Sequence, residues 1–530
     1  MAAARRKVWL RAVVLALLLY SWGVGIANLD RFPRVHEDEA WIAAPGYTFW
    51  EKGYFGTTLF AGLNGMEQHY YPFPPLFSLL VGAALQLVGM GLFQARIVPL
   101  IFTLLTLALT YRLGAVLLSP LHGLLALMIL MFWRVAHSTT FLATGIPLMD
   151  IARVARYDIA VSFFGLLALF LLLQSRKLLT IRASFLVGVS AGLAVLSHFY
   201  GAVWLPPLLF AIMFRFRHRA VRPILILLTG FGLTLVPWLL FVLSGWQDFI
   251  SQFRGYSPYF NVFDPNFYAA NWLHEKMRYQ PFLDGLSQTL GASCGLALVI
   301  LGLVWLTIRH RASSNRAFVI VITLIVLMIL FALTISVKTF TYLVLLWPLL
   351  GLIAASGWVA LWHSSAHRIW RLAFILISSV IITEGLISTI HMQQVASETT
   401  PYRVYTRAID AYLPLNRRIL ALQHYWFGLA PRTPNYRSFL AVVNLTNPQY
   451  VRYPITFAAA ADISPPQFVL LDQNMNDFLS ENFNPRADYH YLYTQIWTYL
   501  NRHHAHYIGE VSDPAYGKCV ILALDDDTGQ

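Results

Sequence analysis

Between Phe73 and Gly91 the chain reads FPPLFSLLVGAALQLVGMG, an apolar run with no charged residue. If this run crosses a bilayer, the basic turns that follow it fall on both sides of the membrane. If it does not, they all fall on one side. Three prolines stand at or just before its start (Pro72, Pro74, Pro75) and glycines at its end (Gly89, Gly91), a punctuation that suits a re-entrant or interfacial helix better than a full crossing.

The basic turns supply the reason to care. Arg176, Lys177 and Arg182 form one group, and Arg215, Arg217, Arg219 and Arg222 a second. Arg309, Arg311 and Arg316 form a third, and Arg368 and Arg371 a fourth; no acid interrupts any of them. The positive-inside bias places such turns in the cytoplasm together with the basic start Arg5, Arg6 and Lys7. Only a non-crossing Phe73–Gly91 run satisfies that bias at every loop. The acid-containing segments 30–72, 141–158 and 245–289, and everything after 391, then face outward.

With that run set aside, spans are expected at 8–29, 96–117, 121–140, 158–175, 183–199, 201–214, 223–244, 290–308, 317–336, 342–361 and 372–391. That makes about eleven helices, and several of the apolar runs, at about 18 to 22 residues, are long enough to cross roughly 30 Å of hydrocarbon. Composition agrees: of 530 residues, 58% are hydrophobic and 12% charged, which is the profile of a polytopic membrane protein. The run from Val8 to Leu29 has no clear small-residue cleavage site, so it is read as a retained first helix rather than a signal peptide.

A formal charge of +13 could point to nucleic acid. Its distribution excludes that reading, because residues 1–390 hold 28 Lys and Arg against 13 Asp and Glu, whereas residues 391–530 hold 10 against 12. The excess belongs to the membrane part. Cys294 and Cys519 suggest no disulfide framework. The expected organisation is a transmembrane domain over 1–391, with outer loops 30–95, 141–158 and 245–289, followed by a soluble α/β domain over 392–530. In that second domain Arg418–Gln423, Gln467–Leu471 and Lys518–Leu524 read as short strands.

Polar groups gather in four of the outward segments. Immediately after the first span stands His36-Glu37-Asp38-Glu39-Ala40-Trp41. Three consecutive carboxylates beside hydrocarbon repel one another and lose hydration, so they persist where they accept a proton, bind a cation or orient a substrate. Asp38 and Glu39 are taken as the functional centre. The second group is Arg153-Val-Ala-Arg156-Tyr157-Asp158, preceded by Arg134 and His137; the third is Ser197-His198-Phe199-Tyr200; the fourth is Lys338-Thr-Phe-Thr-Tyr342. Carboxylates and cations on one face suit a lipid phosphate meeting a polar acceptor, whereas a transporter more often carries its charges near the midplane.

This arrangement resembles the GT-C superfamily of glycosyltransferases that use polyprenyl-phosphate sugars, in particular the branch of protein O-mannosyltransferases and 4-amino-arabinose lipid A transferases. The resemblance spans roughly residues 1–390. It rests on Asp38-Glu39 in the first outer loop, on His69-Tyr-Tyr-Pro-Phe-Pro-Pro75 leading the non-crossing helix, on Arg96 opening the second span, and on Arg156-Tyr-Asp158. The resemblance implies a GT-C-like polytopic α-helical fold and an inverting transfer of a sugar, hexosyl or pentosyl, to an extracytoplasmic protein, lipid or glycan. Asp38 would act as general base with Glu39 in support, and Asp158 would orient the acceptor or Arg156. Arg156, His198, Lys338 and Arg278 would stabilise the departing phosphate, and His69 and Arg96 join them as substrate-binding residues. Where lipid A-modifying relatives carry a lysine before the prolines, this chain has His69 and two tyrosines.

The three acids could hold Mg²⁺ or Mn²⁺, but with cations at hand no metal or other cofactor is expected. The expected partners are a polyprenyl-phosphate sugar, an acceptor and membrane lipid. The expected location is a bacterial inner membrane, with the site and the C-terminal domain on the extracytoplasmic side. The competing reading is a transporter or lipid flippase with an outer acidic gate.

Overall fold

The computed structural model describes residues 2–136, 143–174, 179–255, 261–310, 315–363, 368–433, 435–478 and 487–525. His137, Arg176, Lys177 and Arg311, and the end of the expected span 121–140, lie outside the described residues. Among those described, seven helices are long and apolar enough to cross a membrane: Val8–Ile26, Leu92–Leu117, Phe199–Arg219, Val221–Ser244, Leu290–Ile308, Ala317–Thr334 and Arg368–Asp410. Shorter apolar helices at Pro120–Phe132, Asp158–Gln174, Ile181–Ser197 and Trp347–His363 occupy the other expected runs. The chain is an integral membrane protein with a mostly helical body and a small C-terminal sheet.

The chain divides into two compact units, each assembled from three stretches of sequence. The first comprises 1–27, 99–239 and 259–395, and the second 28–98, 240–258 and 396–530.

In the first unit, helices pack where side chains are missing. A Cβ on Gly302 would stand 1.9 Å from the carbonyl oxygen of Ile353, and one on Gly357 would stand 2.1 Å from that of Leu298. The Leu290–His310 and Trp347–His363 helices therefore meet backbone to backbone, the solution lipid favours because it offers no hydrophobic drive between helices. Hydroxyls inside this unit return their hydrogen bonds to their own helix, as Thr103, Thr106 and Thr110 do toward carbonyls four residues back. The segment 143–158 is tied down by two buried charges. Asp150 accepts from Thr144 N, Thr144 Oγ1 and Gly145 N at 2.7 to 2.9 Å. Arg153 donates to the carbonyls of Val24 and Gly25 at the end of the first helix, both at 2.9 Å. Burial pushes the Asp150 carboxyl up to about 7, against the opposing pull of those amides and of Arg153.

The second unit joins a helical hairpin to a sheet. The Glu37–Lys52 helix packs on Pro75–Val88, which lies inside the Phe73–Gly91 run. At 14 residues the latter is about 21 Å long, short of the roughly 30 Å of hydrocarbon. The sheet contains β1 (Ile419–Ala421), β2 (Tyr436–Ser438), β3 (Phe468–Leu471), β4 (His506–Asp513) and β5 (Gly517–Ala523), in the order β2-β1-β3-β5-β4. β1 runs parallel to β2 and β3; β5 is antiparallel to β3 and β4. The three expected strands are β1, β3 and β5. β2 is three residues long and β4 has one buried residue in eight, so neither carries an apolar run that sequence could show.

Candidate active-site residues

The acidic stretch folds as a helix start. His36 is the N-cap of Glu37–Lys52, its ring Nδ1 accepting the backbone N–H of Asp38 at 3.1 Å, while its own N–H donates to Glu39 Oε1 at 2.8 Å. This is a capping box, with three acids in the first turn where the helix dipole favours negative charge. Because Nδ1 accepts, the ring proton in this arrangement sits on Nε2, and the 3.6 Å approach of Nδ1 to Asp38 Oδ2 is a contact with a neutral ring.

Adjacent acids have opposite surroundings. Glu39 is fully buried and receives Arg96 in two parallel bonds, Nε to Oε2 at 2.8 Å and Nη2 to Oε1 at 2.7 Å. Arg96 also donates to the carbonyls of Leu29, Pro33 and Arg34. These bonds engage every N–H a guanidinium has. Arg96, of which substrate binding was expected, fixes the turn that delivers Asp38, with Glu39 as its counter-charge. Asp38 is about a third exposed. Glu37 is exposed on the same turn.

His69 pairs with Asp248, Nδ1 to Oδ2 at 2.9 Å. Gln252 clamps the loop that carries it, donating to the carbonyls of Asn64 and His69 and accepting from Tyr71 N. His69 is thus an oriented, half-exposed ring.

In the first unit a second polar cluster forms around Asp158, the first residue of its helix. Arg156 Nε donates to Oδ2 at 2.9 Å and Tyr200 Oη to Oδ1 at 2.7 Å. Tyr157 stacks on His198 with ring centres 4.0 Å apart, and Tyr342 lies 4.8 Å from Tyr200. His198 Nδ1 accepts from Tyr200 N at 3.2 Å. Three expected residues, Arg156, Asp158 and His198, therefore stand together.

Lys338 and Arg278 meet through a residue that was not singled out. Glu275 accepts from Lys338 Nζ at 2.7 Å and from Arg278 Nε at 2.9 Å. Arg278 is fully buried, lies over the ring of Phe331, and has an Nη1 without a hydrogen-bond partner among the described residues. Phe331 also packs against Tyr200, so the Asp158 and Glu275 clusters share a wall. Together Arg156, Arg278 and Lys338 outnumber Asp158 and Glu275 by one charge. Burial holds the Lys338 ammonium below the usual lysine range, Glu275 pulls it back up, and Arg278 lowers it further. Sequence offered one sign of Glu275, an acid three residues before Arg278; nothing marked Tyr200 beyond its place beside His198.

Among the described residues, no three His, Cys, Asp or Glu side chains gather to share a metal ion.

No protein-family model matches the chain, and no curated protein matches it in sequence. Solved structures do match. ArnT from Cupriavidus metallidurans bound to undecaprenyl phosphate aligns over 98% of this chain and 98% of its own, at 14% identity and a TM-score of 0.55. The oligosaccharyltransferase AglB from Archaeoglobus fulgidus, in complex with an inhibitory peptide and a dolichol-phosphate, aligns over 89% of this chain and 70% of its own, at 14% identity and a TM-score of 0.54. Both are glycosyltransferases of the GT-C superfamily. The resemblance read from the sequence thus holds at the level of the fold.

Proposed function

We propose that this GT-C-fold membrane protein is an inverting glycosyltransferase that moves a sugar from a polyprenyl phosphate to an extracytoplasmic acceptor. The observation that carries the reading is the contrast within the acidic turn: Glu39 is locked on Arg96, while the neighbouring Asp38 stays about a third exposed on the rigid start of a helix. The fold shared with proteins that hold undecaprenyl phosphate and dolichol-phosphate supports the donor class.

In this mechanism Asp38 removes the proton of an acceptor hydroxyl or amine as that atom bonds to the anomeric carbon. The bond from that carbon to the phosphate oxygen breaks, its electron pair stays on the phosphate, and the configuration inverts. A phosphodiester thereby becomes a phosphomonoester with one more negative charge. Arg156, Arg278 and Lys338, with their excess positive charge, are assigned to the developing anion. His198 orients Tyr157 and Tyr200 beside them. Asp158 is assigned to hold Arg156, and Glu39 to hold the turn. The chain is placed in a bacterial inner membrane, with these groups and the C-terminal domain on the extracytoplasmic side.

Lipid extracts of the native host test the reading. A deletion strain should accumulate a polyprenyl-phosphate sugar, and Asp38→Asn should accumulate it equally while reaching the membrane at normal levels. An unchanged lipid pool in the deletion strain sinks the transferase reading, and a normal pool in Asp38→Asn sinks the base. Sidedness is checked with single cysteines at Arg34 and Arg219 in a background lacking Cys294 and Cys519. An impermeant reagent on intact cells should label the first and spare the second.

A further inference from the structure

The turn that carries Asp38 is held from the C-terminal part of the same unit. Helix Glu37–Lys52 packs on the 3-10 turn Gln423–Tyr425, and Tyr47 meets Trp426 edge to face with ring centres 5.9 Å apart. At that contact a chain of hydrogen bonds runs from the end of β2 to the acidic turn. Ser438, fully buried, is the N-cap of Phe439–Leu445 and accepts the N–H of Leu440 at 3.1 Å. Its hydroxyl donates to Gln423 Oε1 at 2.7 Å. The amide orientation follows: with Oε1 facing Ser438, Nε2 faces Glu37 and donates to Oε2 at 3.3 Å.

Gln423 has little freedom to do otherwise. It is 1% exposed, and tyrosine hydroxyls hold the carbonyls on both sides of it, Tyr436 that of Leu422 and Tyr402 that of His424. Asp38 and Asp472 both act on Glu37, and His424 stands 3.9 Å from Asp472. Although Glu37 keeps contact with solvent, the protein packed around it pushes its carboxyl up, and Asp38 and then Asp472 push it further. A carboxylate beside two like charges turns away unless a donor holds it, and Gln423 is a donor in place.

We propose that Ser438, Gln423 and Glu37 form a positioning relay by which the C-terminal domain sets the orientation of Asp38 on its helix turn. Glu37 and Gln423 are positioning residues, acting through Asp38. The proposal rests on the reading of Asp38 as base. It also gives the C-terminal domain a role, which is to complete the geometry of the acidic turn.

The test uses the full-length protein in a deletion strain, with the pool of polyprenyl-phosphate sugar read by mass spectrometry of lipid extracts, and purified protein binding undecaprenyl phosphate as the probe. Gln423→Ala and Glu37→Ala should each raise the pool by about ten-fold or more, since a small misplacement of a catalytic group is enough for that. Affinity for undecaprenyl phosphate should stay within about two-fold, as expected for sites with no shared partner. The exchange Glu37→Gln with Gln423→Glu re-forms the bond with its direction reversed, residue 37 donating and residue 423 accepting from both it and Ser438, so the double variant should return most of the turnover. Normal pools in both single variants, or a double variant no better than either single one, overturn the relay. If Gln423→Ala fails to reach the membrane, Glu37→Ala and the double variant decide alone. A normal pool in Asp38→Asn fails the base reading instead, so the two failures are distinct.

Discussion

Glu275 Oε2 accepts a hydrogen bond from Lys338 Nζ at 2.7 Å, and through its other oxygen the same carboxylate holds Arg278 Nε at 2.9 Å. One anion therefore bridges two cations, in a place where Arg278 is fully buried and keeps an Nη1 unpartnered among the described residues. Replacing Glu275 by Gln retains an acceptor but removes the counter-charge. The expected outcome has two parts of opposite sign. Folding stability falls by about 3 kcal/mol, because a buried pair has lost a partner. Affinity for undecaprenyl phosphate rises by about three- to ten-fold, because a competing anion has gone. Thermal unfolding in detergent and lipid binding at low salt check the two parts, and weaker lipid binding would contradict the assignment of these cations to phosphate.

The depressed ammonium of Lys338 gives a pH dependence with a definite sign. Its folded value lies below the ordinary 10.5. The charge is therefore lost as pH rises through that lowered value, earlier than in an unfolded chain, and phosphate binding should weaken on the alkaline side before 10.5. Stability runs the other way: between the lowered value and 10.5 the unfolded chain binds more protons, so this group's contribution to folding rises with pH. Lys338→Arg keeps its charge throughout. It should abolish the alkaline loss of undecaprenyl phosphate binding, and an unaltered profile in that variant would remove Lys338 from the phosphate site.

Asp38 and Glu39 should separate cleanly. Glu39→Gln leaves the buried Arg96 guanidinium without its counter-charge, with an expected loss of about 3 to 5 kcal/mol and poor recovery from membranes. Asp38→Asn alters a partly exposed side chain, and its unfolding should shift by about 1 kcal/mol or less while transfer fails. Similar unfolding losses in the two variants would mean that Asp38 is a second structural acid.

Much of this was legible because it is written in apolar length and charge. The run with prolines at Pro72, Pro74 and Pro75 holds a 14-residue helix, and Asp38, Glu39, Arg156 and Asp158 stand out in the sequence because ionised groups beside hydrocarbon are conspicuous. What a charged side chain does with its donors was not legible. Arg96 and Arg156 look alike in sequence, yet Arg96 has every N–H engaged inside a turn, whereas Arg156 has Asp158 beside it in a cluster with surplus positive charge. Glu275 and Gln423 escaped notice for the same reason: Lys338 is 63 residues from the first and Glu37 is 386 from the second, and only the fold brings them there. β4 was invisible because only one of its eight residues is buried.

The hairpin that carries the acidic turn depends on two glycines. A Cβ on Gly46 would stand 1.8 Å from the carbonyl oxygen of Ser78, and one on Gly82 would stand 2.1 Å from the carbonyl carbon of Gly46. Both obstacles are backbone, so no rotamer change relieves them, and the Glu37–Lys52 and Pro75–Val88 helices would have to separate. Gly46→Ala should lower stability by about 3 kcal/mol or more and should also reduce transfer, since Asp38 rides on the displaced helix. Gly23→Ala is the control: nothing lies within 4 Å of its Cβ, and alanine favours a helix over glycine by about 1 kcal/mol. Thermal unfolding of both variants beside the wild type decides the matter. A tolerated Gly46→Ala would mean that the two helices are not in backbone contact, and the rigid mounting of Asp38 would need another cause.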